Sequence, residues 1–316
     1  MSVYTVIERG ELELFLKSFR LGNLENYEGI VAGIENTNYF VTTATGQFVL
    51  TIFEITPQSE LPYFLKLMAH LAERGIVSAH PIADENGEYL QQIRDKPAAL
   101  VRRLRGASVP NPSPQHCSAI GAEMAALHLA GQGFSGRRVN DRGLKWQAET
   151  AERILPRLSP ADRSLLQMTL SELENFDSSA LPRGVIHADL FRDNALFVDD
   201  ELTGIVDFYY AHNSFLIYDL AVTIADWCFD ARGGFNDSTA RELVRAYDRI
   251  RPIANAERAS WPYFVRTAGL RFWLSRLNDK FFPRVGNLTH TKNPEPFRQV
   301  LMAGQDQTSL LNALLQ

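Results

Sequence analysis

The chain predicts an α+β fold of two lobes, a small antiparallel sheet with one helix followed by a larger, mainly helical lobe. Three observations carry this. Short β-branched and aromatic runs bounded by Gly and Asn fill the stretch from Tyr27 to Glu54. Helical periodicity dominates after about residue 105. A short island of strand signals then interrupts the helical half, at Gly184-Val185-Ile186, Ala195 to Val198 and Gly204-Ile205-Val206. The change of character divides the chain into lobes over 1–103 and 104–316, with no internal repeat and no Gly-, Ser- or Pro-rich linker.

The elements follow in order. Glu11 to Phe19 reads as a short helix. Tyr39 to Thr43 and Gln47 to Phe53 read as strands around an Ala44-Thr45-Gly46 turn. Thr56-Pro57 has the form of a cap followed by Pro at the first helical position, opening a helix that runs to about Glu73 and stops at Gly75. Its stripe is Leu61, Phe64, Leu65, Met68 and Leu71. Strands around Tyr89 to Ile93 and Ala98 to Leu104 bring the sheet to about five. In the second half, helices are expected from Gln115 to Ala130, Gly143 to Arg157 and from Ser159-Pro160 onward. After the strand island the chain is expected to be helical to its end. There Ile217, Leu220, Ala221, Ile224, Trp227 and Cys228 form one stripe, with Asp219, Thr223 and Asp226 on the other face.

Composition limits the function classes. Of the 316 residues, 45% are hydrophobic and 22% charged, an ordinary globular balance. Against 37 Asp and Glu stand 32 Lys and Arg, a formal charge of −5 that disfavours general nucleic-acid or anionic-membrane binding. The oiliest stretch, Phe215 to Phe229, is broken by Asp219 and Asp226, so no membrane span is expected. The first residues lack the basic and apolar regions of a secretory signal, and a cytoplasmic location is expected. Cys117 and Cys228 are too few for a thiolate-rich zinc site and read as free buried thiols.

The chemistry concentrates in the strand island. The string His187-Ala188-Asp189-Leu190-Phe191-Arg192-Asp193-Asn194 follows one strand, and Asp207 ends a later one. Taken singly, Asp189 and Asn194 are turn formers and Asp207 a strand terminator. Together, on a strand-loop-strand-turn-strand frame, they bring three polar groups to one edge. One carboxylate can accept a hydroxyl proton while an amide oxygen and a second carboxylate bind Mg²⁺. That is the equipment for in-line transfer of a γ-phosphoryl group to an alcohol. The spacing matches an Asp-x-x-x-x-Asn loop followed by a metal-binding Asp.

These residues, with Val206-Asp207-Phe208-Tyr209, resemble the catalytic loop of the aminoglycoside phosphotransferase-like kinases. The resemblance extends to Ala122 through His128 and to Tyr218-Asp219-Leu220-Ala221, and so covers most of the chain. Within that superfamily, four segments are most similar to the bacterial homoserine kinases of this fold: Gly33 to Tyr39, Phe48 to Glu54, His187 to Asn194 and Leu270 to Leu277.

The resemblance implies a two-lobed protein-kinase-like fold, ATP and Mg²⁺ as cofactors, and phosphorylation of L-homoserine in threonine biosynthesis. It implies Asp189 as catalytic base, with His187 bracing the loop, Asn194 and Asp207 as metal ligands, and Asp219 tying the next helix to the loop. The nucleotide falls to the turn carrying Gly33, Asn36, Thr37 and Asn38, to Thr51, and to the connection Arg102-Arg103-Leu104. For the acceptor, Arg271 or Arg276 would meet a carboxylate, Asp226 an ammonium, and Tyr209, Tyr210 and Trp227 would form walls. Each of these acceptor residues is, by itself, also an ordinary ion pair or core aromatic.

One departure stands out: Thr51 occupies the strand position where many kinases carry a phosphate-binding lysine. Three rival readings remain at this level. His187 and Asp189 with His212 or His290 formally make an iron-oxygenase set. Thr51 suggests a kinase-like binding module without activity. The acceptor can also be an aminoglycoside, choline or a methylthioribose-like sugar. The small-molecule partner is thus a substrate, with no nucleic acid and no membrane expected; the sequence leaves oligomeric state open.

Overall fold

Alternation of buried and exposed side chains builds the first lobe. The structure, a computed structural model, describes residues 4–30, 35–174, 176–230, 234–283, 292–306 and 313–315. After helix α1 (Arg9–Leu16), strands β1 (Leu24–Ile30), β2 (Asn36–Thr43) and β3 (Gly46–Phe53) form an antiparallel meander. Thr43 stands opposite Gly46, so the β2–β3 turn is two residues long. Helix α2 (Leu61–Ala72) follows, then β4 (Leu90–Ile93) and β5 (Lys96–Arg102), completing a five-stranded sheet in the order β1-β2-β3-β5-β4. The period of two sends alternate residues to opposite faces. Phe48, Leu50 and Ile52 pack on Leu12, Phe15 and Leu16 of α1. Phe53 and Ala99 pack on Leu61, Phe64 and Leu65 of α2.

Two local expectations are corrected. Helix α2 starts at Leu61, not at Thr56-Pro57, with Glu60 at its cap and Pro62 in the first turn. Residues 57–59 are exposed and offer nothing to bury, whereas Leu61 and Phe64 are fully buried and anchor the first turn. The last hairpin is tighter than expected. Its two-residue loop, Arg94-Asp95, takes φ of 50° and 58°, a left-handed turn that Asn-Gly would normally announce.

The second lobe contains helices α3 (Pro114–Gly131), α4 (Leu144–Ile154) and α5 (Pro160–Glu174), strands β6 (Arg183–Ile186), β7 (Ala195–Val198), β8 (Glu201–Ile205) and β9 (His212–Phe215), and helices α6 (Leu216–Trp227), α7 (Asp237–Ile250), α8 (Asn255–Ala259), α9 (Trp261–Phe281) and α10 (Glu295–Asp306). Ser159 Oγ accepts the Asp162 N–H, capping α5 as its sequence suggests, and Ser113 Oγ caps α3 by accepting the His116 N–H. Helix α9 buries Trp261, Phe264, Val265, Leu270, Trp273 and Leu274, so it is apolar on more than one side. Each such side chain contributes about 1.5–3 kcal/mol by leaving water.

Strand β9 corrects the expectation of unbroken helix after the strand island. It pairs with β6, from Arg183 opposite Phe215 to Ile186 opposite His212, while β7 and β8 form a separate hairpin. His-Asn-Ser-Phe carries little strand preference; the partner strand supplies the conformation. The hairpin also joins the lobes. Ile205 N–H donates to Val77 O at 2.7 Å, and Ala107 and Phe197 exchange backbone hydrogen bonds. Cys117 and Cys228 are free and buried. No described helix is long and apolar enough to cross a membrane.

Candidate active site

Helix α6 holds the loop that follows β6. Asp219 Oδ2 accepts the His187 N–H at 2.8 Å and its Oδ1 accepts the Ala188 N–H at 2.7 Å. Trp227 Nε1 donates to Leu190 O at 3.0 Å. Asp226 Oδ2 accepts both the backbone N–H (2.8 Å) and the Nε (3.0 Å) of Arg192. Offsets of zero, seven and eight place these three side chains on one helical face. Ala188 takes φ of 65°, a left-handed conformation that costs a residue with a Cβ and that Asp219 holds in place.

Val206 is the staple that gathers the chemistry. Its N–H donates to Asn194 O at 3.0 Å, and its carbonyl receives His187 Nε2 at 3.0 Å. Asp207, the next residue, turns away in the left-handed region with φ of 62°. Asn194 Nδ2 donates to the Asp189 carbonyl at 2.8 Å and lies 3.5 Å from Asp189 Oδ2. That leaves the amide oxygen as the acceptor of the Asn194 side chain, next to the Asp189 carboxylate. His187 is fully buried, and its Nδ1 accepts the Asp189 N–H at 3.3 Å. Both ring nitrogens are therefore engaged with backbone, and burial, opposed by the carboxylates of Asp219 and Asp189, holds the ring below its usual pKa and neutral.

The carboxylates are electrostatically crowded. Burial raises the Asp189 pKa, and the guanidinium of Arg271 pulls it back. Asp207 is accessible from the cleft, yet the surrounding protein and the charges of Asp189, Glu35 and Asp193 push it up to about 7. A divalent cation relieves this kind of crowding. No group of three or more His, Cys, Asp or Glu able to hold a metal occurs among the described residues. One amide oxygen and one carboxylate instead suit Mg²⁺, which keeps water and phosphate oxygens in its shell.

The remaining expected residues fall as follows. Asn38 and Thr51 lie opposite each other on the α2 face of the sheet, and Thr51 Oγ1 donates to Asn38 Oδ1 at 2.8 Å. Asn36 has a buried amide oxygen without a partner. Thr37 points to the opposite face, where it bonds Glu54 at 2.6 Å. The nearby cation Lys96 pairs with the same Glu54 and so lies away from the cleft. Gly33 lies outside the described residues. Arg102 ends β5, Arg103 lies 3.9 Å over the Phe40 ring, and half-buried Leu104 packs on the main core. Tyr209 packs edge-on against Phe53 and Phe64. Tyr210 OH donates to Glu35 Oε1 at 3.1 Å, linking the lobes.

The acceptor candidates separate. Arg271, buried in α9, bonds Asp189 at 3.1 Å. Arg276 donates to Asn293 O and lies over Phe297. With Arg192, Asp193 and Asp226 it lines a cavity of about 340 Å³. Asp226 and Trp227 are committed to the loop, as described above. Sequence reading missed the support behind Asp219. His128 Nε2 donates to Asp219 Oδ2 at 3.0 Å, its Nδ1 lies 2.7 Å from Tyr247 OH, and Arg251 links Tyr247 to Glu257. The spacing of Asp219 and Asp226 was a readable signal for the α6 face, but Trp227, expected on the opposite stripe, sits at its edge and reaches the same loop; the His128–Tyr247 chain, 119 residues apart, left no signal.

A model of the phosphotransferase enzyme family matches residues 26–253, spanning both lobes and the whole catalytic loop. The chain belongs to this phosphotransferase family. A homoserine kinase of Methylobacillus flagellatus is 47% identical over 301 residues, covering 95% of this chain and 94% of that protein. A homoserine kinase of Neisseria meningitidis serogroup B is 39% identical over 303 residues, covering 96% and 99%. Among solved structures, a spectinomycin phosphotransferase in complex with ADP and spectinomycin has a TM-score of 0.72 at 12% identity, covering 96% and 99% of the two chains. An amicoumacin kinase in complex with AMP-PNP, Ca²⁺ and Ami has a TM-score of 0.69 at 17% identity, covering 94% of each. The phosphotransferase thus has the protein-kinase-like fold that its loop suggested. The oxygenase reading falls with that fold and with the engagement of His187; His212 Nδ1 is likewise held by the Tyr210 carbonyl at 2.9 Å, and His290 lies outside the described residues.

Proposed function

We propose that this phosphotransferase transfers the γ-phosphoryl group of ATP to the side-chain hydroxyl of L-homoserine, giving O-phospho-L-homoserine and ADP. The observation that carries the substrate is the 47% identity to a homoserine kinase across 95% of the chain. The gathering of Asp189, Asn194 and Asp207 around Val206 supports the reaction class. ATP binding follows from kinship with a phosphotransferase family; Mg²⁺ is our inference from the oxygen donors.

In this reading Asp189 accepts the hydroxyl proton as the substrate oxygen bonds to the γ-phosphorus and the bond to the ADP oxygen breaks. Arg271 fixes the orientation of the Asp189 carboxylate. His187, neutral and held at both nitrogens, braces the loop and moves no proton. Asn194 and Asp207 would hold Mg²⁺, which when bound supplies charge neutralisation at the phosphates. Thr51 leaves the β3 position without a cation, and Asn36 to Asn38, expected in a turn, lie in strand β2 with partners in β3, so charge neutralisation at the phosphates would fall mainly to Mg²⁺.

ADP release measured with Mg·ATP and a panel of alcohols tests the proposal. Homoserine should be the best substrate. Preference for an aminoglycoside, choline or a methylthioribose-like sugar would overturn the substrate, and no ATP consumption with any alcohol would overturn the reaction.

A further inference from the structure

The narrow cleft beside Asp189 is bordered by Arg142, Ala188, Tyr210, His212, Tyr218 and Arg271. Its cations are mostly spoken for. Arg138, from the same loop as Arg142, is paired with Glu60 and Asp141, and Arg271 is paired with Asp189. Arg142 is different. Its guanidinium lies 4.7 Å over the Trp146 ring, and no carboxylate pairs with it among the described residues. A guanidinium stacked on a ring keeps its in-plane N–H donors free for a bidentate anion.

His212 supplies the complementary feature. It is 3% exposed, and its Nδ1 lies 2.9 Å from the Tyr210 carbonyl, which fixes the proton on Nδ1. Burial favours the neutral ring. Nε2 therefore carries a bare lone pair, and it is buried without a partner. Buried acceptors in native structures are normally satisfied, so this one calls for a donor that enters the cleft.

A hydroxy amino acid with its hydroxyl at Asp189 brings an acceptor-only carboxylate and a donor-only ammonium. A guanidinium can serve only the first and a bare lone pair only the second. We propose that Arg142 binds the α-carboxylate and His212 Nε2 accepts from the α-ammonium, so that this cleft reads the zwitterionic end of the acceptor. The assignment rests on the homoserine reading above and makes both residues determinants of specificity.

The test uses the whole enzyme with Mg·ATP and three alcohols: homoserine, 3-aminopropan-1-ol without the carboxylate, and 4-hydroxybutyrate without the ammonium. Wild-type enzyme should prefer homoserine to either analogue by at least about a hundredfold in kcat/KM. Arg142→Met should raise KM for homoserine by about tenfold to a hundredfold, with kcat and the KM for ATP within about threefold and its kcat/KM for 3-aminopropan-1-ol as in wild type. His212→Asn keeps an amide N–H for the Tyr210 carbonyl. It should raise KM for homoserine while leaving 4-hydroxybutyrate as in wild type. Arg276→Met serves as the contrast and should leave the preference for homoserine over 3-aminopropan-1-ol intact.

Loss of that preference in Arg276→Met but not in Arg142→Met would overturn the assignment while leaving the homoserine reading standing. Equal use of homoserine and 4-hydroxybutyrate by wild-type enzyme would remove His212 from it. No turnover of homoserine by wild-type enzyme would overturn the parent reading itself.

Discussion

Arg271 Nη1 donates to Asp189 Oδ1 at 3.1 Å, joining helix α9 to the catalytic loop across 82 residues of sequence. The guanidinium lies 3.7 Å over Phe272 and 5.3 Å over Tyr210, so its position is set by packing as well as by charge. Arg271 therefore fixes where the Asp189 carboxylate points and opposes the burial that raises its pKa. Asp189→Asn should lower kcat by at least about a hundredfold with the fold intact. Arg271→Met should lower kcat less. It should also move the acid limb of the kcat profile to higher pH, because burial then acts on Asp189 without its largest counterweight. A profile unchanged in position would remove this role from Arg271.

Asp207, proposed above as a metal ligand, sits where a charge is costly for folding. Asn tolerates the same left-handed backbone, so Asp207→Asn isolates the charge. Activity with Mg·ATP should be almost abolished. Thermal unfolding at pH 8 should occur at a higher temperature than in wild type, because the variant relieves repulsion from Asp189, Glu35 and Asp193. A lower Tm would contradict the crowding inferred at this site.

Asp219 makes an acid-sensitive anchor. Burial alone would raise its pKa, but the hydrogen bond and charge of His128 and the His187 N–H together hold it below the ordinary 3.8. A carboxyl depressed in the folded state stabilises fully above its unfolded pKa, and that contribution is lost as pH falls through the folded value. Asp219→Asn should cost about 1–3 kcal/mol at pH 7, because it removes the charged acceptor that the His128 ring and the His187 and Ala188 N–H groups share. The gap between variant and wild type in urea unfolding should narrow below about pH 4. A constant gap from pH 7 to 3 would show that the charge is not what matters.

Gly121 sets how closely α3 and α7 approach. A Cβ placed there would stand 2.2 Å from the Leu243 carbonyl oxygen, which is backbone and cannot swing aside. Gly121→Ala should destabilise by about 1–3 kcal/mol or more through helix displacement, although alanine is the better helix former. Urea denaturation decides it; a stabilised variant would mean the helices separate freely.

The legible parts were those written in local pattern. The β2 and β3 alternation and the Ser159 cap each need only neighbours along the chain; the polar face expected on α6 is buried as well, because Asp219 and Thr223 are enclosed by packing. The convergence of His187, Asp189, Asn194 and Asp207 was readable because their spacing lies within twenty-one residues, from His187 to Asp207. Helix α2 began later than its cap signal because Thr56-Pro57 had nothing to bury. Strand β9 was hidden because its conformation comes from β6.

The sequence by itself determined the two-lobed architecture and the residue types of the phosphoryl-transfer loop, since periodicity and short-range spacing are local properties of a chain. Only the tertiary structure decided which charges are spent and which are free. Asp226 belongs to Arg192 and Arg271 to Asp189, while among the described residues Arg142 has no carboxylate partner and His212 Nε2 no hydrogen-bond partner. Pairing of this kind depends on desolvation and on approach within about 3 Å, and packing creates both between residues that sequence order keeps far apart.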